Sequence, residues 1–306
     1  MAKAVISSGI CKSFGPADAL RDISFEVNEG EIFGFIGPDG AGKTTLFRIL
    51  TTLMLPDKGE MEVLGIDCRT GYKALRSRIG YMPGRFSLYH DLSVEENLNF
   101  YAGILGTTLK ENLDLISDIY SHIEPFRKRL AGKLSGGMKQ KLALSCALVH
   151  RPDIIVLDEP TTGVDAVSRS EFWEMLQKIR NRNITVIVST PYMDEAAKCD
   201  RVALIQKGSI MAIDTPEAIT RDFTRKLFSV KATPKHSLIN ALRNYPKTIT
   251  AYPFGDSVHL TLADDQCDDA LLKYLTGTGL QNISVCEAVP GIEDRFLELM
   301  EDPLKP

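Results

Sequence analysis

Unbroken apolar runs of strand length alternate along the chain with segments whose apolar residues recur at helical spacing. Residues 31–36 read E-I-F-G-F-I and lead into G-K-T-T-L-F-R-I-L at 42–50. I-I-V-L-D-E at 154–159, E-F-W-E-M-L-Q-K-I at 171–179 and I-T-V-I-V-S at 184–189 repeat the rhythm. Short strands separated by helices predict an α/β domain with a largely parallel sheet. Between about 87 and 150 the strand rhythm stops. There S-V-E-E-N-L-N-F-Y places Glu96 three residues after Ser93, the pairing of a capping box, and the stretch is expected to be a helical insert. After Thr215-Pro216 the pattern changes again: strand-like L-F-S-V-K-A, helical S-L-I-N-A-L-R-N-Y, then T-A-Y-P-F and S-V-H-L-T-L-A around Gly255-Asp256. A helix D-D-A-L-L-K-Y-L, a strand I-S-V-C-E-A and a last helix I-E-D-R-F-L-E-L-M follow. This β-α-β-β-α-β order predicts a small split-βαβ domain over 227–306, behind a charged linker T-R-D-F-T-R-K and a main domain over 1–220. The chain has no internal repeat and no low-complexity tract.

A length of 306 residues fits one large domain plus one small. The net charge of −4 gives no overall basic field, so no nucleic-acid partner is expected. The six cysteines, Cys11, Cys68, Cys146, Cys199, Cys267 and Cys286, are scattered without a C-x-x-C pair, and read as reduced, mostly buried thiols of a cytosolic protein. The opening M-A-K-A-V-I-S-S-G-I is not patterned as a signal peptide, and no apolar run approaches the ~18 to 20 residues of a spanning helix. A soluble chain that docks on a membrane protein is compatible with this.

The chemistry starts at G-P-D-G-A-G-K-T-T: Gly37, Pro38, Asp39, Gly40, Ala41, Gly42, Lys43, Thr44 and Thr45. It fits G-x-x-x-x-G-K-[ST] between a predicted strand and a predicted helix. The glycines let the backbone curl so that successive N–H groups point inward, and the helix adds the positive end of its dipole. Lys43 would then reach the β- and γ-phosphates of a bound nucleotide, and Thr44 would hold Mg²⁺. The strand I-I-V-L-D-E delivers Asp158, suited to Mg²⁺, and Glu159, suited to polarising an attacking water.

L-S-G-G-M-K-Q at 134–140, ahead of that strand, narrows the reading: the chain resembles the ATP-binding-cassette (ABC) ATPases, whose signature motif it matches in Ser135, Gly136 and Gly137. The resemblance covers roughly the first 220 residues. It implies an α/β P-loop cassette with a mostly parallel sheet core, a small antiparallel β part and a helical subdomain over about 87–150. T-T-G-V-D, ending in Asp165, matches the family's D-loop. Phe14 lies where an aromatic stacks on adenine, although a lone phenylalanine also suits a core. The segment 79–98 resembles the Q-loop region of ABC-2-type exporters, and the phosphate-loop and signature wording is similar to the N-terminal cassette of tandem YbhF-type ATPases. The C-terminal pattern is similar to the small α+β, ferredoxin-like domain that ABC-2 exporter ATPases carry.

Two positions depart from the family. Gly84 stands where the Q-loop glutamine is expected, and Pro191 where the switch histidine is expected. Glycine has no side chain to place water or Mg²⁺, and proline has neither an imidazole nor an N–H. For the local structure, Pro191 suits the first turn of a helix whose Asp194 and Glu195 complement its dipole, and Pro83-Gly84 suits a turn. The resemblance thus implies a head-to-tail dimer with a second ABC ATPase subunit, in which this chain's own ATP site is weak while its signature and D-loop complete the partner's. It also implies separate ABC-2-type permease subunits that dock near 85–98, and a peripheral place on the cytoplasmic face of the membrane. The alternative is a soluble regulatory or ribosome-associated ABC switch that moves no solute.

Overall fold

The computed structural model describes residues 2–85, 87–264 and 269–301; Cys267 lies outside the described residues. The chain divides into two units, Met1–Pro216 and Glu217–Pro306. In the first, long strands β1 (Lys3–Phe14) and β2 (Ala17–Asn28) form a hairpin, followed by β3 (Ile32–Ile36), α1 (Lys43–Leu50), β4 (Lys58–Val63), β5 (Ile66–Asp67), α2 (Tyr72–Arg76) and β6 (Ile79–Met82). The helical stretch holds α3 (Val94–Ile104), α4 (Leu113–Tyr120) and α5 (Gly136–Leu148). Then come β7 (Ile154–Asp158), α6 (Ala166–Arg180), β8 (Thr185–Thr190), β9 (Arg201–Gln206) and β10 (Ser209–Asp214).

Two sheets result. A four-stranded antiparallel sheet has the order β2-β1-β4-β5, and a six-stranded sheet has the order β10-β9-β3-β8-β7-β6, parallel except for the β9–β10 hairpin. Every residue of β3, β7 and β8 is buried, which is why these strands read as apolar runs without alternation. β2 lies in a sheet with one covered face and buries Leu20, Ile23, Phe25 and Val27 between exposed polar residues. The core closes on Phe25, Phe33, Phe35 and Phe47, with Phe35 edge-on to both Phe25 at 5.0 Å and Phe47 at 5.6 Å between centroids.

The helical insert begins as the spacing predicts. Ser93 Oγ accepts from Glu96 N at 3.3 Å while Glu96 Oε2 accepts from Ser93 N at 2.7 Å. Lys141 of α5 pairs with Glu171 of α6 at 2.7 Å. Of the described cysteines, Cys68, Cys146 and Cys199 are buried and Cys286 is exposed; burial pushes the Cys68 thiol up to about 12.

A short helix, α7 (Pro216–Arg221), leads into the charged stretch at 220–226 and takes in its first two residues, while 222–226 are neither helix nor strand. The second unit continues with β11 (Leu227–Thr233), α8 (Lys235–Asn244), β12 (Thr248–Phe254), β13 (Ser257–Leu262), α9 (Asp269–Gly277), β14 (Gln281–Ala288) and α10 (Ile292–Glu301). Its antiparallel sheet has the order β12-β13-β11-β14, the ferredoxin-like arrangement of a split βαβ unit. Phe228, Val230, Leu260, Leu238, Leu242, Leu271 and Leu275 form its core. Pro253 sits in β12, an edge strand, where a missing N–H is tolerated. α10 is tied to the sheet by Asp294, whose Oδ1 lies 2.6 Å from His259 Nδ1.

Candidate functional site

Strand register brings four loops to one edge of the six-stranded sheet. Ile36 pairs with Thr190, Asp158 with Ser189, and Met82 with Leu157. The segments starting at Gly37, Pro83, Glu159 and Pro191 therefore leave the sheet side by side, at the carboxyl ends where α/β folds bind ligands.

The 37–45 loop fits only glycine at its hinges. A Cβ on Gly37 would lie 2.1 Å from the Ile205 carbonyl oxygen, and one on Gly42 would lie 2.5 Å from that of Ala19. Gly40 and Gly42 have φ of 78° and 104°, open to glycine at little cost. Gly37 N donates to Thr190 O at 3.3 Å, and Gly208 N donates to Ala41 O at 3.0 Å, fastening the loop to its neighbours. Pro38, Asp39 and Gly40 are exposed, while Thr44 and Thr45 lie half-buried in the first turn of α1. No side chain caps that helix at Gly42, so its first-turn N–H groups and dipole face outward for an anion. Lys43 is 3% exposed. Its Nζ donates to Gly37 O at 2.7 Å and Pro38 O at 3.0 Å and lies 3.1 Å from Glu159 Oε1, which engages all three ammonium donors.

Asp158, 2% exposed, ends β7. Its Oδ1 accepts from Ser189 Oγ at 2.7 Å. Glu159 follows in the left-handed region at φ 49°, with its N–H near both Ser189 O at 3.1 Å and Ser189 Oγ at 3.0 Å. Ser189 was not singled out from the sequence. Its signal is a hydroxyl residue near the end of an apolar strand, two places before Pro191. A Cβ on Gly84 would lie 3.0 Å from the Asp158 carbonyl oxygen and 3.8 Å from Asp158 Oδ2, so any side chain at 84 projects beside that carboxylate. Burial and the Asp158 charge push the Tyr81 phenol up to about 12, which keeps it neutral.

The structure corrects the local reading of Pro191. It does not open a helix: Tyr192 is the extended cap of a 3₁₀ helix, Met193–Lys198, and Pro191 stands one residue before that cap. Tyr192 N donates to Thr190 Oγ1 at 3.0 Å, so a hydroxyl turn at the strand end shapes this stretch. Asp194 and Glu195 do occupy the first turn of the 3₁₀ helix.

A second group gathers around the start of α5. Ser135 caps this helix, its Oγ accepting from Met138 N at 3.4 Å; Ser135 and Gly136 are exposed. A Cβ on Gly137 would lie 2.7 Å from Ser168 Oγ. Asp165 caps α6 by accepting from Ser168 N at 3.0 Å, and that N–H holds its carboxyl below the ordinary range. Ser135, Gly136, Gly137 and Asp165 thus form one surface. Phe14, at the end of β1, is half-exposed with Lys12 Nζ 5.8 Å from its ring centroid, which places it outside the core. Among the described residues no group of three or more His, Cys, Asp or Glu side chains is placed to hold a metal.

Residues 20–162 match the family model for the ABC transporter. The chain is 36% identical, over 98% of its length, to the probable multidrug ABC transporter ATP-binding protein YbhF of Escherichia coli (strain K12), and spans about half of that relative, 53%. It is 31% identical to the Nod factor export ATP-binding protein I of Rhizobium sp. (strain N33), with 98% of each chain covered. Among solved structures, an ATP-binding subunit of an ABC transporter matches at 26% identity and a TM-score of 0.65, over 72% of this chain and 93% of that one. The fold is also that of cbiO1 from Clostridium perfringens, at 24% identity and a TM-score of 0.65 over 72% and 92% of the two chains. Identity sustained over nearly the whole of a relative of the same length leaves one placement: the chain belongs to the ATP-binding proteins of ABC transporters.

Proposed function

We propose that this chain is the ATP-binding subunit of an ABC-2-type exporter, that it holds MgATP on the 37–45 loop, and that its own site turns ATP over slowly. The observation that carries this reading is the shared sheet edge, where Gly84 and Pro191 flank the Lys43–Glu159–Asp158 cluster. Loop N–H groups and Lys43 bind the phosphates, Phe14 stacks on adenine, and Glu159 polarises the attacking water. Thr44 and Asp158 would supply oxygen ligands to hold Mg²⁺, a hard cation that takes hydroxyl and carboxylate oxygens. When bound, Mg²⁺ neutralises charge developing on the transferred phosphoryl group. Loss of one preorganised transition-state donor typically costs ~10²–10³ in rate, and positions 84 and 191 both lack theirs.

Ser135, Gly136, Gly137 and Asp165 are complete and face outward. In a head-to-tail dimer, hetero- or homomeric, they serve the ATP site of the second cassette. Ser135→Arg is therefore expected to lower the partner's hydrolysis by about a hundredfold while leaving this chain's MgATP affinity within about twofold, since the lost cap costs only ~1 kcal/mol. Single-turnover assays with each cassette's site inactivated in turn separate the two effects.

Separate permease subunits dock beside Gly84. Support comes from a cavity of about 240 Å³ lined by Met82, Pro83, Leu88, Tyr101 and Ile104, next to the exposed rings and side chains of Tyr89 and Ile104. The names of the relatives, multidrug transport and Nod factor export, suit an exporter at the cytoplasmic face of the membrane. Among the described residues no helix is long and apolar enough to cross it. Affinity purification from detergent-solubilised membranes should recover a polytopic permease with the chain. Recovery only from the soluble fraction, without a membrane subunit, would overturn the exporter reading.

The ferredoxin-like unit has its own core and is proposed to fold apart from the cassette. Removing residues 227–306 is expected to keep MgATP affinity within about threefold and to preserve a cooperative melt of the cassette. Loss of that melt would show that the two share one core.

A further inference from the structure

Glu195 is 3% exposed, yet its carboxylate is sparsely partnered. Its Oε2 accepts from Thr161 Oγ1 at 3.1 Å. Its Oε1 has no hydrogen bond and lies 3.9 Å from Arg169 Nε. A buried carboxylate held this lightly is a poor source of stability, which directs attention to what it holds.

Thr161, itself 1% exposed, is two residues past Glu159. The backbone between them is a tight turn: Thr162 N donates to Glu159 O at 3.2 Å and Val164 N to Thr161 O at 3.2 Å. Glu159 sits in the left-handed region, which a side chain other than glycine keeps only where its surroundings enforce it. Two contacts do so. Ser189 takes the Glu159 N–H at the front of the turn, and Glu195 takes the Thr161 hydroxyl at its back. Both belong to one segment, and Pro191 lies between them. Arg169 braces that segment from α6, stacking over the Tyr192 ring at 4.9 Å and donating to Asp194 at 3.4 Å.

We infer that Glu195 is a positioning residue: by anchoring Thr161 it fixes the left-handed turn that aims Glu159, and it ties the segment carrying Pro191 to that carboxylate and to the D-loop behind it. This rests on Glu159 acting as the base in the function proposed above. The link is mechanical and uses neither a histidine at 191 nor a glutamine at 84.

Amide hydrogen exchange across 159–165 reads the anchor without requiring hydrolysis. Thr161→Val and Glu195→Leu are each expected to speed exchange there about tenfold, with the double variant no faster than the faster single. Thr161→Ser and Glu195→Gln keep a hydroxyl and an acceptor, and should exchange as the unchanged chain does. Exchange at 37–45 and MgATP affinity should stay within about twofold in Thr161→Val. The inference is overturned if Thr161→Val leaves 159–165 unchanged, if Thr161→Ser fails to restore it, or if exchange rises equally at 37–45. In a chain carrying Gly84→Gln and Pro191→His, adding Thr161→Val should slow single-turnover hydrolysis about tenfold. A carrier that itself fails to hydrolyse counts against the function proposed above, while the exchange result still decides the role of Glu195.

Discussion

Lys43→Ala is expected to weaken MgATP binding by a hundredfold or more, ~3 kcal/mol, because the phosphates lose a charge-assisted donor that no neighbour replaces. The chain should remain folded. Lys43 is buried against two carbonyl oxygens and Glu159, but the Glu159 side chain is 23% exposed, so water can solvate the carboxylate left behind. The two effects are separable by melting. The unchanged chain should gain thermal stability with rising MgATP, by mass action on the folded state, and the variant should melt cooperatively without that gain. Isothermal titration gives the affinity directly. Undiminished affinity in a folded Lys43→Ala chain would sink the assignment of the 37–45 loop as the phosphate site.

Strand and helix types were legible because this fold writes burial into its periodicity. β3, β7 and β8 are covered on both faces and are apolar throughout, β2 alternates, and Ser93 with Glu96 marks the start of α3 by a local rule. The split-βαβ order of the second unit was legible for the same reason. What no single stretch encodes is register. That Ile36 meets Thr190 and Asp158 meets Ser189 depends on pairing between segments more than 30 residues apart, and the likewise distant pairing of Met82 with Leu157 puts Gly84 beside Asp158. The part played by Ser189 follows from the same kind of pairing, as does that of Glu195, which reads locally as a first-turn acid and is in fact buried against Thr161. Pro191 was misplaced because Y-M-D-E-A has helical composition. The hydroxyl of Thr190 captures the next free N–H and delays the helix by two residues. Phe14 was undecidable by composition, since only the end of a long edge hairpin leaves a phenylalanine half in water.

Replacing Pro191 with histidine and Gly84 with glutamine is expected to raise this chain's ATP hydrolysis by about ten- to a hundredfold in the double variant, the part of the ~10²–10³ per donor that an unadapted site recovers. The reason is geometric. A side chain at 84 starts 3.8 Å from Asp158 Oδ2, and position 191 directly follows Thr190, whose carbonyl accepts from Gly37 N. The two replacements therefore reach one phosphate site from different strands, the histidine supplying a donor for developing charge and the glutamine a group to place water and Mg²⁺. They are unequal in difficulty. A Cβ at 84 meets the Asp158 carbonyl oxygen at 3.0 Å, so the loop must give by a few tenths of an ångström, whereas histidine at 191 replaces a half-buried ring and restores a backbone N–H. Pro191→His alone should thus gain more than Gly84→Gln alone, and the pair more than the sum, because groups acting on one transition state are not additive. MgATP affinity should change by less than about threefold, since neither side chain is asked to bind the ground state. The measurement is single-turnover hydrolysis of the unchanged chain, both single variants and the double, with and without a second cassette. A chain that already hydrolyses ATP briskly by itself, and that neither replacement improves, would make Pro191 and Gly84 tolerated loop residues and remove the ground for an asymmetric pair.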